Sequence, residues 1–158
     1  MGFRPLKKNE FSKIFKNQGE EGINQNHIKF SISGFEFNHE SISRNLGLTP
    51  TKVYSVGEKI IWNNKVTRIV NENLWEYEWK NKSNEFLPDW VEEFIAEIIE
   101  PRIESILSVS ENCVVMLTII QYYYTSHNPG YLFSSKSIEI LSKINSELQL
   151  DIYCLRDD

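Results

Sequence analysis

His27, His39 and His127 are the residues best suited to acid–base or metal chemistry near neutral pH, and each stands alone in the chain. None belongs to an HxH or HExxH arrangement, so the spacing offers no paired metal ligands. Surface and capping roles are expected for all three. Ser126 precedes His127, but a nucleophile and its base are matched in space, not by adjacency. No GxSxG, GxxxxGK or GxGxxG run is present, and seven scattered glycines do not make a phosphate cradle. Cys113 and Cys154 lie in apolar, strand-like stretches without CxxC spacing and read as buried, reduced thiols. No catalytic residue, metal ligand or cofactor is assigned from the sequence.

Carboxylates and aromatics carry the remaining signals. Glu93, Glu97, Glu100 and Glu104 recur at i, i+4, i+7 and i+11, which on a continuous helix makes one acidic stripe. Such a stripe is either a solvated face or a recognition surface for a basic partner. A glycosidase-type acid–base pair would need a cleft and a shifted pKa, to which nothing in the sequence points. Tyr122, Tyr123 and Tyr124 are consecutive in a strand-like stretch, so their rings divide between two faces. At least one is expected to face outward as an interface anchor. Trp75, Tyr77 and Trp79 share one strand face. Base-stacking platforms flank such rings with Lys and Arg; here Glu76 and Glu78 intervene, so core packing under helices is expected.

The elements that must position these groups follow from periodicity. Ile28, Phe30 and Ile32 alternate with polar residues as a half-buried strand, which Gly34 interrupts before Phe35 and Phe37. Asn38 is placed to cap a short helix over residues 39–46, with Gly47 as its left-handed terminator. Strands follow around Gly57, with Asn63-Asn64 as a turn, and again over residues 74–79. Pro88 opens the longest helix, whose apolar stripe runs from Val91 through Ile106 and Leu107. Pro101 should kink or split it near Glu100. Residues 113–124 read as a central strand covered on both faces, with Val114, Val115, Leu117 and Ile119 inaccessible. Asn128-Pro129-Gly130 marks a turn and residues 131–133 a short strand. A helix capped by Ser135 or Ser137 then carries Ile138, Leu141, Ile144 and Leu148, and a strand from Leu150 closes the chain. The expected fold is a single α+β domain over residues 27–158: a mainly antiparallel sheet with about three helices packed on one face. Residues 1–26 form a basic arm, with Phe11, Ile14 and Phe15 at helical spacing, and a linker.

At 158 residues the chain fits one domain that needs neither disulfide nor metal. The arm's first seventeen residues carry five basic side chains against Glu10, a net +4, which leaves −9 for the rest of a chain whose total is −5. An acidic body argues against binding driven by phosphate neutralisation. The longest apolar run is far below the roughly 20 residues that a bilayer span needs, and no leader-like segment is visible. The expectation is a cytoplasmic protein without membrane contact.

Leu46-Gly47-Leu48-Thr49-Pro50-Thr51, followed by Gly57-Glu58, then by the Trp strand at 74–79, Gly130-Tyr131-Leu132-Phe133-Ser134-Ser135 and Leu150-Asp151-Ile152-Tyr153, resembles the bacterial family catalogued as domain of unknown function 4279. The resemblance covers residues 29–155 and has no catalytic residues to carry over. It implies a small bacterial protein, with some members acting as immunity partners of toxins. The leading expectation is therefore a non-enzymatic binding protein of the immunity or antitoxin type, which neutralises a toxin, basic if it meets the acidic stripe, by protein–protein contact. The first alternative is an enzyme or small-ligand binder whose pocket does not show as a motif. The second is a nucleic-acid-binding accessory protein.

Overall fold

The computed structural model describes residues 24–82, 87–123 and 130–154. The organising element is β1 (Gln25–Ser33), nine residues alternating apolar and polar. It pairs antiparallel on one side with β5 (Leu74–Lys82) and on the other with β6 (Val114–Tyr123). β2 (Lys52–Tyr54) extends the sheet beyond β5, and β7 (Ser146–Cys154) runs parallel to β6, giving the order β2-β5-β1-β6-β7.

The register aligns apolar side chains into rows across the strands. Trp79, Ile28 and Ile119 form one row, Tyr77, Phe30 and Leu117 the next, and Trp75, Ile32 and Val115 the third. These rows pack against three helical units: α1 (Glu40–Leu46), a long segmented arm, and α4 (Ser135–Lys143). The Trp79 ring meets Phe94 edge-on at 5.1 Å and lies 6.2 Å from Trp90, so the aromatic strand is core under helices. Phe30 and Trp75 are inaccessible, a burial that contributes about 1.5–3 kcal/mol for each large apolar side chain.

The arm breaks where Pro101 demands it. α2 (Leu87–Phe94) passes into a π turn at Ile95–Ile99, where Glu100 N–H reaches back to Ile95 O, then a 3-10 turn at Glu100–Arg102, and α3 (Ile103–Val109). Proline has no N–H, so the carbonyls before it lose backbone partners. Arg102 replaces them: its Nη1 donates to Glu97 O at 3.0 Å and Ile98 O at 2.9 Å. Its Nε donates to Leu46 O at 2.8 Å, tying the break to the end of α1, where Gly47 adopts φ +63. A second tie holds α4. Glu92 on α2 accepts from Ser134 N (2.9 Å), Ser134 Oγ (2.7 Å) and Ser137 Oγ (2.6 Å). Burial pushes the Glu92 carboxyl up, but these bonds outweigh it and hold it below the ordinary value.

Several expectations need correction. Val115, Leu117 and Ile119 of β6 are buried, but Val114 is 42% exposed, because the described helices lie on the other side of the sheet. The chain leaves the sheet at Gly34 (φ +82) and does not continue as a strand through Phe37. Residues 131–133 form no strand; Tyr131 and Phe133 pack on the core and lead into Ser134, the residue that caps α4. α4 ends near Ile144 because Asn145 turns left-handed (φ +52), which puts Leu148 on β7; within α4 it is Ile140 and Leu141 that are buried, and Ile138 is exposed. Cys113 precedes β6 and is half-buried. The expected helix around Phe11, Ile14 and Phe15 and the Asn128-Pro129 turn residues lie outside the described residues.

Replacing Arg102 with Ala should cost about 2 kcal/mol, since it strips a charged donor from three carbonyls at once. Arg102→Lys should recover only a minor part, as one ammonium cannot span the three. Urea denaturation of the two variants beside the parent chain measures both.

Candidate functional site

The sheet's second face carries no helix among the described residues, and its side chains are the polar half of the same alternation. On β1 these are His27, Lys29 and Ser31; on β5 they are Glu76, Glu78 and Lys80. The pairing sets Lys29 opposite Glu78 and Ser31 opposite Glu76, so opposite charges meet across the strands. His27 Nδ1 donates to Glu78 Oε1 at 2.7 Å, and Lys29 lies 3.3 Å from Glu76 and 4.0 Å from Glu78. Lys80 closes on the other Glu78 oxygen at 3.2 Å. Burial raises the Glu78 carboxyl, but His27, Lys80 and Lys29 together outweigh it and hold it below its ordinary 4.5.

These groups line a cleft of about 370 Å³, which Thr51 and Lys52 bound on one side and Ile120 and Tyr122 on the other. The Tyr122 ring stacks on Tyr153 at 5.0 Å and meets His27 edge-on at 5.8 Å. Burial leads the rise of its phenol to about 12, with the charges of Tyr153, Asp151 and Glu78 adding to it, so it stays protonated at neutral pH. A carboxylate that orients an imidazole can prepare a general base. Among the described residues, no group of three or more His, Cys, Asp or Glu side chains is arranged to hold a metal ion. The His27–Glu78 pair was not legible in the sequence, because its members are 51 positions apart. The alternation of β1 and β5 was visible, and it is the only signal that could have put both on one face.

The residues singled out earlier are not gathered in one place. Glu93, Glu97 and Glu104 are exposed on the segmented arm, and Glu100 is half-buried and paired with Lys136 at 2.8 Å. The π and 3-10 turns lie between the first and last of them, so the four do not follow one continuous α-helical row. Tyr122 is buried on the open face and Tyr123 at the end of β6; neither offers an exposed ring. Tyr124 lies outside the described residues. His39 stands at the start of α1 without a side-chain cap, where Asn38 Oδ1 accepts from Glu40 N at 2.9 Å instead. His127 is also outside the described residues.

A third feature stands apart from the sheet. Among the described residues, β3 (Lys59–Trp62) and β4 (Lys65–Ile69) pair only with each other, as a hairpin turned by Asn63 and Asn64, both at positive φ. Ile61 and Val66 are cross-strand partners, 63% and 52% exposed, and Ile69 is 53% exposed. Lys59, Lys65 and Arg68 accompany them. Asn73 anchors the base, accepting from Val56 N at 2.9 Å and donating to Phe35 O at 2.7 Å.

Residues 24–155 match one protein-family model, described as Domain of unknown function (DUF4279). No curated protein and no solved structure matches the chain. No helix among the described residues is long and apolar enough to cross a membrane.

Glu78→Ala removes the carboxylate partner of the His27 imidazole and the Lys80 ammonium, while Lys29 keeps Glu76, and should cost about 1–3 kcal/mol at pH 7. The folded-state pKa of Glu78 is lowered, so its contribution is complete above 4.5 and disappears as pH falls through the folded value. The stability gap between the parent chain and Glu78→Gln should therefore narrow between pH 7 and pH 3, read by chemical denaturation at each pH.

Proposed function

The chain belongs to the family described as Domain of unknown function (DUF4279), and from that premise we propose a non-enzymatic binding protein that acts by protein–protein contact, in the manner of a bacterial immunity or antitoxin protein. The observation that carries this reading is the β3–β4 hairpin. An isolated two-stranded ribbon is only marginally stable in water, and this one exposes Ile61, Val66 and Ile69. Contiguous apolar surface of this kind marks an interaction site. The arm's exposed Glu93, Glu97 and Glu104 add a charged surface that can steer a basic protein toward it. The two surfaces differ in sign, since the hairpin carries Lys59, Lys65 and Arg68. A toxin that engaged both would present a basic patch to the arm and an acidic one beside the hairpin.

The small-ligand alternative has one observation in its favour, the polar cleft on the open face. The nucleic-acid alternative has the hairpin's three cations behind it and the acidic body against it.

Co-expression with the product of a neighbouring toxin-like gene tests the leading reading, with cell survival and copurification as readouts. The double variant Ile61→Ser, Val66→Ser should weaken the complex at least tenfold, about 1.4 kcal/mol. It should leave domain stability within about 0.5 kcal/mol, as expected for exposed positions. Charge reversal at Glu93 and Glu97 should slow association at low salt more than it speeds dissociation. Full protection and unchanged affinity in the hairpin variant would remove the hairpin as the contact.

A further inference from the structure

The cleft on the open sheet face has a charge balance opposite to that of the chain. Lys29, Lys52 and Lys80 line it against Glu76 and Glu78, a net +1 before His27 is counted, in a chain of net −5. Both carboxylates are already engaged, Glu76 by Lys29 and Glu78 by His27, Lys29 and Lys80. Each ammonium has three N–H groups, so the lysines retain donors after these contacts. Lys52 has no carboxylate within 4.0 Å among the described residues; its Nζ stands 4.8 Å above the Tyr54 ring. The Tyr54 hydroxyl beside it outweighs burial and raises its pKa, so it stays charged. The cations are spread along the cleft: Lys80 shares the row Lys80–His27–Ile120, and Lys52 is the one farthest from the apolar wall. Lys52 is on the edge strand β2 and Ile120 on β6, three strand spacings across and four residues along the strands, roughly 20 Å between backbones. The apolar end is firm, because the Tyr122 ring is held between Tyr153 and His27. A compact inorganic ion would satisfy only one end of such a cleft.

We propose that this cleft binds an elongated organic anion, its carboxylate or phosphate head held by Lys52 and its apolar body laid against Ile120 and Tyr122. The site is independent of the protein-contact reading, which rests on the hairpin and the arm. The cleft's volume of about 370 Å³ falls within the range of small-molecule pockets.

Calorimetric titration of the full chain tests it, with octanoate and octyl phosphate as probes and acetate, inorganic phosphate and octylamine as controls. One or both tailed anions should bind at one per chain, the tighter of the two identifying the head group. Acetate and inorganic phosphate should bind at least tenfold more weakly, and octylamine should give no signal. Lys52→Gln and Ile120→Thr should each weaken the better probe at least fivefold. In the parent chain, amide NMR signals of Lys52 and Ile120 should both shift on titration, a readout that needs no variant to fold. Equal binding of octylamine would overturn the charge argument. Inorganic phosphate as tight as octyl phosphate would overturn the elongated ligand. Absence of binding by both tailed anions, or unshifted Lys52 and Ile120 signals, would overturn the site.

Discussion

The side-chain period of two along β1 is the constraint on which the rest of the molecule depends. β1 lies at the centre of the sheet, hydrogen-bonded along its whole length on both edges. Ile28, Phe30 and Ile32 can lie only on one face, and His27, Lys29 and Ser31 only on the other. A slip of one residue against either neighbour would put charges under the helices and apolar side chains among lysines. The apolar rows dictate where the helices dock, and the face they leave uncovered is where β5 must supply carboxylates opposite the β1 cations. Core and cleft are two consequences of one alternation.

The helical arm shows how a local defect becomes a tertiary contact. Pro101 removes a backbone donor in the middle of an amphipathic helix, and Arg102, the next residue, restores the lost bonds with its side chain. Because the same guanidinium also reaches Leu46 O, α1 is docked by the repair. The turns around the break shift the helical phase. Ile98, Ile99 and Ile106 stay buried, whereas Leu107, in phase for an unbroken helix, is exposed. The acidic residues of the arm are redistributed by the same shift.

Much of the fold was legible because local chemistry and tertiary structure agree. The β1 and β5 alternations, the Asn63-Asn64 turn, the Gly47 terminator and the Pro101 break each have one residue-level cause that the surroundings do not override. The errors fall where composition is ambiguous. The apolar run after Cys113 does not say how many of its faces are covered, so Val114 was expected inside. Ser134, Ser135 and Ser137 are equivalent as caps until Glu92 selects among them from a separate helix. Isoleucine and valine on β3 and β4 mark strands, and nothing local says that the hairpin leaves the sheet. The cleft was invisible for a different reason: its charges come from separate strands, and only register brings His27 to Glu78.

The position of β1 also bears on the order in which the chain can assemble. Its partners come late: Ile28 faces Trp79, 51 residues on, and Ile119, 91 residues on. During synthesis the first strand therefore leaves the ribosome long before either neighbour exists, with an unpaired edge on each side. Pairings of such long sequence separation are slow to form because loop closure comes first. Until β6 emerges, Ile28, Phe30 and Ile32 have only half of their shelter. Productive folding is thus weighted toward the end of translation, and a chain truncated before residue 114 would retain aggregation-prone strands without a sheet to receive them.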